Sequence, residues 1–278
     1  MRSIRMLRYN LQTGFWKCWY RVLLVWGYVC IGCIEFNLRC RIVYQSIGIP
    51  DHSWGDYLMY VIGGVAEFHP GINRIEIPVK WLLLQVLILY SMADFPVHEL
   101  FSMGNVTLVK CKSRTLWLIS KMEWVLLHLL VVETGIVAVT ALMTKILHGL
   151  MTLDINFHVI NEVMCAESTY ETIGPGSLLI YFLLGIGAIF FVALLQLLLA
   201  IWIKPILGFA GAIIWLTACA YVPIVWMNGN ILMPVRSIWI IEKGYSATEA
   251  LLVLLLELPV LILTGILCFR QYQLLEKR

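Results

Sequence analysis

The sequence predicts an all-α, polytopic membrane protein with about six transmembrane helices and both termini in the cytoplasm. Three observations carry that reading. Only 13% of the 278 residues are charged, while 61% are hydrophobic; a soluble domain carries roughly 25% charge to cover its surface. The apolar residues come in continuous runs near the ~20 residues that cross a bilayer, not in the alternation of a membrane strand. Lys and Arg gather on one set of loops, as they do on the cytoplasmic side of membrane proteins.

Taken in chain order, the first span falls at about 15–36, with Lys17 and Arg21 reaching back to the inner surface from its first turns. It follows a basic amphipathic N-terminal segment, 1–21. No small-residue cleavage site follows the apolar run, so the segment reads as a retained span and not as a signal peptide. A long outer connection covers 37–78, and within it 57–65 is apolar enough to lie at the interface. The second span, about 79–95, is short. The third covers about 123–147. The fourth, about 178–203, and the fifth, about 206–227, contain no charge and are separated by a short inner turn at Lys204-Pro205. An outer loop at 228–246 leads to the sixth span, about 247–269. No polar stretch is long enough for a separate soluble domain, so 1–278 forms one transmembrane domain.

Orientation follows from the basic residues. With the N-terminus inside, the inner segments hold Arg2, Arg5, Arg8, Lys17, Arg21, Lys110, Lys112, Arg114, Lys121, Lys204, Arg270, Lys277 and Arg278. The outer segments hold Arg39, Arg41, Arg74, Lys80, Lys145, Arg236 and Lys243, in longer loops. An even number of spans returns the C-terminus to the cytoplasm.

Several chemistries lack their residues. No GxxxxGK[ST] loop, HExxH or GxSxG occurs, so no catalytic residue is assigned. His52, His69, His98, His128, His148 and His158 are scattered, with no metal-ligand spacing on one helix. Cys30 and Cys33 form a CxxC inside a predicted span, where helix contact is a better use than redox work. Cys40 and Cys165 fall in predicted outer loops, where a disulfide between them is open. A net charge of +3 leaves no nucleic-acid footprint.

The most informative stretch is the inner loop at about 96–122. Beyond Glu99 it becomes basic through Lys110, Lys112 and Arg114, then enters a helix on which Trp117, Lys121 and Trp124 share a face. As physics alone, this is a positive-inside anchor with aromatic residues at the membrane boundary. The run from Val109 through Lys110, Lys112, Ser113, Arg114 and Trp117 to Lys121 also resembles the first cytoplasmic loop of small bacterial ABC-type-2 permeases. The six-span plan and the basic N-terminus are similar to that family as well. The resemblance implies a permease subunit of an ATP-driven exporter in a bacterial cell membrane. It implies no enzyme activity and no cofactor in this chain. ATP and Mg belong on a separate cytoplasmic ATPase, and a second permease subunit makes a homo- or heterodimer. Its coupling contacts here are Glu99, Lys110, Lys112, Arg114, Trp117 and Lys121, with Lys204 as a second contact. The cargo stays open among drug, lipid, peptide and polysaccharide, with the apolar interior favouring an amphiphilic, peptide or drug-like one. The first outer loop is longer than in the simplest members of the family.

Two carboxylates lie deep in predicted spans: Glu133 in the third and Glu257 in the sixth. An ionisable side chain at mid-bilayer costs roughly 2.5 to 3.5 kcal/mol on insertion scales and marks a functional candidate. The plainer use is a protonated carboxyl bonded to a neighbouring helix. An ion-coupled secondary transporter using both carboxylates is therefore the alternative function. Finally, Gly208 and Ala212 form a small-xxx-small pair suited to close helix contact.

Overall fold

In the computed structural model, residues 2–43, 52–66, 78–93, 95, 113–156, 158–164, 172–173 and 175–271 are described. They form a helical bundle. Four of its helices are long and apolar enough to cross a membrane: Tyr9–Val43, Arg114–Ile146, Gly176–Trp202 and Ala247–Gln271.

Helix α1 (Arg2–Val43) absorbs both the predicted basic segment and the first span in one unbroken helix. No proline interrupts it, and at 1.5 Å per residue it is about 63 Å long, so it outreaches a hydrocarbon core of about 30 Å. Its buried residues Cys18, Val22, Val25, Val29, Cys33, Phe36 and Cys40 recur at three- and four-residue steps along one face. The opposite face exposes Trp16, Leu23, Leu24, Ile31, Ile34 and Leu38. A helix apolar on every side is suited to lipid. Cys30, Cys33 and Cys40 are free thiols; Cys165 lies outside the described residues.

Helix α2 (Trp54–Ile62) is a short cap over the far end of α1. Ser53 and Asp56 form a reciprocal capping box, and the Asp56 carboxylate also accepts from Asn156 N at 2.7 Å. Burial pushes the Asp56 carboxyl up to about 6, against the opposing pull of these donors. Gly55 is required here, because a Cβ would stand 2.5 Å from Leu153 O.

Helix α3 (Val79–Met92) has only fourteen residues. Helix α4 (Arg114–Ile146) starts at Ser113, whose hydroxyl accepts from Leu116 N, and merges the expected boundary helix with the third span. Beyond it, a two-residue strand Ile155–Asn156 pairs antiparallel with Thr172–Ile173. Helix α5 (Pro175–Trp202) ends at a tight turn, and α6 (Pro205–Tyr221) begins with Pro205 in its first turn. The Gly208–Ala212 face is buried, and a Cβ on Gly208 would meet Ala200 N at 2.6 Å. The small residue therefore lets α5 and α6 touch backbone to backbone. Helix α7 (Ala247–Gln271) closes the bundle.

One expectation needs correcting. The fifth helix stops at Tyr221, not near 227, because Val222 is extended before Pro223. The segment 222–246 is also no simple outer loop. It folds back into the bundle through two 3-10 turns, Asn228–Asn230 and Pro234–Arg236, burying Ile231, Met233, Val235 and Ile240. Irregular backbone at this depth is tolerable because protein, not lipid, surrounds it.

The helices alternate in direction. At one end Asn10 of α1 meets Lys121 of α4, Trp117 of α4 stacks on Phe269 of α7, and Phe95 packs on Trp124. At the other end Phe36 packs on Tyr57 of α2, Trp81 donates to Leu232 O and Tyr181 packs on Tyr245. The starts of α1 and α4 and the end of α7 thus share one end of the bundle.

Candidate functional site

Helix α4 carries the polar interior. Its buried face includes Ser120, Lys121, His128, Glu133, Thr140 and Thr144. Apolar neighbours would serve packing as well, so six buried polar residues on one helix call for partners.

At the end shared by α1, α4 and α7, Lys121 is fully buried. Its ammonium donates to Asn10 Oδ1 at 2.8 Å and lies 4.8 Å from the Phe95 ring and 5.5 Å from the Trp117 ring. Asn10 Nδ2 donates in turn to Ser120 O at 3.3 Å. Trp117 has no exposure and stacks on Phe269 at 5.4 Å. Arg114 is exposed, and donates to Arg270 O at 3.1 Å. Lys204, at the α5–α6 turn, is exposed as well. The expected coupling residues thus divide. Trp117 and Lys121 bind α4 to α1 and α7, while Arg114 and Lys204 present charge at the surface. Glu99, Lys110 and Lys112 lie outside the described residues.

About two turns further along α4, His128 Nε2 lies 2.9 Å from Ser91 Oγ on α3. Ser91 already donates its hydroxyl to Ile88 O at 2.7 Å, so it accepts from His128 Nε2–H. That leaves Nδ1 as an acceptor with no partner among the described residues. Trp124 and Phe15 cover the ring, at centroid distances of 5.0 and 5.5 Å. Sequence reasoning passed over His128, although its seven-residue spacing from Lys121 places both on one helical face.

The two deep carboxylates have different surroundings. Glu257 on α7 is half-buried and accepts a short hydrogen bond from Asn228 Nδ2, in the fold-back segment. Glu133 is only 7% exposed and has no hydrogen-bond or ion-pair partner among the described residues. It lines a cavity of about 30 Å³ between α3, α4 and α5, roofed by Leu232. Gln85, also unremarked in the sequence, lines the same cavity, and its Oε1 is buried without a donor.

Beyond Glu133, Thr140 Oγ1 accepts from Trp54 Nε1 at 3.1 Å, tying the α2 cap to α4. Buried polar groups therefore mark α4 at several levels along its length, and α1, α2, α3 and α7 each fasten to it.

No family model matches the chain, and no curated protein or solved structure matches it either.

Proposed function

We propose that this chain is the permease subunit of an ATP-driven exporter of the ABC-type-2 kind, with six passes and both termini in the cytoplasm. In this reading it lies in a bacterial cell membrane and pairs with a second permease subunit. A separate ATPase carries ATP and Mg, and the cargo is amphiphilic, peptide or drug-like. One observation carries the reading. The exposed Arg114 stands beside Arg270, one turn from Trp117 and two from Lys121, which are locked to α7 and α1. A push received by the basic loop before Arg114 would move α4, α1 and α7 together. That is what an ATPase-driven conformational change needs. Exposed aromatics support the bilayer placement. Trp16, Trp19 and Tyr20 are exposed on one face of α1 near this end, and Trp226 and Trp239 are exposed near the other.

The rival reading, an ion-coupled transporter, asks for two available carboxylates. Glu257 is committed to Asn228, which counts against it.

Two measurements test the proposal. Arg114→Glu is expected to abolish ATP-dependent export, or release the ATPase on purification, while the permease still inserts and folds. Unchanged export and co-purification would leave Arg114 as a membrane anchor only. For topology, single cysteines are placed in a background without native ones and labelled with an impermeant maleimide on intact cells. Glu242→Cys is expected to react and Lys204→Cys to stay unlabelled until the membrane is opened. The reverse pattern would invert the orientation and remove the ATPase contact.

A further inference from the structure

We propose that the cavity between α3, α4 and α5 is a mid-membrane proton-binding site, in which Glu133 holds the proton and one water bridges it to Gln85. This rests on the membrane-embedded reading of the bundle, but not on any coupling to an ATPase.

The first argument is a mismatch of hydrogen-bonding groups. An ionised carboxylate and an amide oxygen are both acceptors only. Glu133 and Gln85 Oε1 line the same cavity, and neither has a donor among the described residues. The two residues are 7% and 5% exposed. The Gln85 N–H2 can donate to one oxygen of Glu133 but not to its own Oε1, so the cavity still lacks a donor for that oxygen.

The second argument is size. A cavity of about 30 Å³ has room for a water, which needs about 10–15 Å³ of such space. A lone water between two acceptors satisfies both but leaves a full negative charge buried. A proton on Glu133 removes that charge. Its O–H then donates to the water, and the water donates to Gln85 Oε1. A hard metal cation of the calcium or magnesium type takes six or more oxygen ligands. Among the described residues, the cavity's side chains supply only Glu133, Gln85 and Tyr181 oxygens.

The third argument is depth. Glu133 lies midway between Lys121 and Lys145 on α4, about 18 Å from each along the axis. Among the described residues no Lys or Arg lines the cavity. Of the titratable groups described there, α5 supplies Tyr181, whose hydroxyl lies 3.5 Å from Tyr245 O, and α3 supplies none. The α2 and fold-back residues at the cavity are Ile62, Ile231, Leu232 and Pro234, all apolar. From α1 the neighbour of this stretch of α4 is Trp26. Gly185, on the α5 wall, has no atom within 4 Å of its would-be Cβ, so the wall leaves room for the water.

The test uses the full chain alone in lipid nanodiscs, so that failure of the exporter reading does not affect it. Infrared difference spectra between H2O and D2O report protonated carboxyls through their C=O stretch. At neutral pH the wild type is expected to show such a band that Glu133→Gln lacks, while Glu257→Gln keeps it. Gln85→Leu is expected to shift the band upward, because the water loses its acceptor. A Glu133→Gln spectrum identical to wild type would overturn the proton, and an unshifted band in Gln85→Leu would overturn the bridge. A wild-type band that vanishes when sodium replaces potassium would make this an alkali-cation site instead, overturning the proposal. Should Glu133→Gln fail to accumulate, the Gln85→Leu shift and the sodium comparison in wild type still decide.

Discussion

Arg236→Ala is expected to cause the largest loss of stability of any single substitution in the fold-back segment. Arg236 is buried, and its five N–H groups all have acceptors. Nε donates to Val65 O at 3.0 Å. One terminal nitrogen donates to Cys219 O at 3.0 Å and, closely, to Asn230 Oδ1. The other donates to Ala66 O at 3.2 Å and Ala220 O at 2.6 Å. Cys219 and Ala220 belong to the last turn of α6, whose carbonyls have no further turn to donate to them. A cation there also meets the negative end of the helix dipole. One side chain thus joins the end of α6, the chain after α2 and the fold-back itself. Alanine would leave these oxygens without their donor, at about 1–3 kcal/mol for each group left unsatisfied. The contributions do not add fully, so a total loss of at least about 3 kcal/mol is expected. Arg236→Lys keeps the charge but not the planar fork, and should fall between wild type and alanine. Denaturation midpoints in a mild detergent give the ranking. Equal midpoints for all three proteins would mean that the guanidinium does not hold the segment.

The helices were legible because each is written locally. The apolar runs of α5 and α7 are continuous and Pro205 marks a start. The capping box of Ser53 and Asp56 is just as local, but from sequence 57–65 reads only as an interfacial stretch. The fold-back at 222–246 was not. Its turns carry Asn, Gly and Pro, as a solvated loop does, and only contacts to Cys219 and Val65 reveal that it is buried. The expected end of the fifth span near 227 failed for a local reason that was readable: Pro223 denies the helix its next hydrogen bond.

The polar interior was half legible. Glu133 stood out because a carboxylate in an apolar run is conspicuous. Gln85 did not, because an uncharged amide in a short span resembles any surface residue until its neighbours are known. Lys121 shows the opposite difficulty. In sequence it belongs to a basic loop, and in space it turns inward to Asn10, more than a hundred residues earlier. Which face of a boundary helix is buried depends on the partner helix, and α1 is remote in sequence. The same holds for His128, which needed Ser91 on α3 to become part of a site.

The second large effect concerns Gly135, and here the sign of the change is the test. Glycine inside an exposed helix costs roughly 1 kcal/mol relative to alanine, so Gly135→Ala considered on α4 alone would stabilise. The structure reverses that expectation. A Cβ on Gly135 would stand 2.1 Å from the Trp26 indole of α1, a distance no real pair of atoms tolerates. Retreat of the indole would cost the hydrogen bond that its Nε1 donates to Val132 O at 3.3 Å. Overpacking of this kind costs typically about 1–3 kcal/mol, which outweighs the propensity gain. Gly135→Ala is therefore expected to destabilise, and Gly135→Val to do so further. Combining each with Trp26→Ala separates the two contributions. On that background the alanine at 135 meets no ring and should be neutral or stabilising. A Gly135→Ala protein more stable than wild type would mean that α1 and α4 do not meet through Trp26. A double variant that shows no relief would assign the loss to α4 alone.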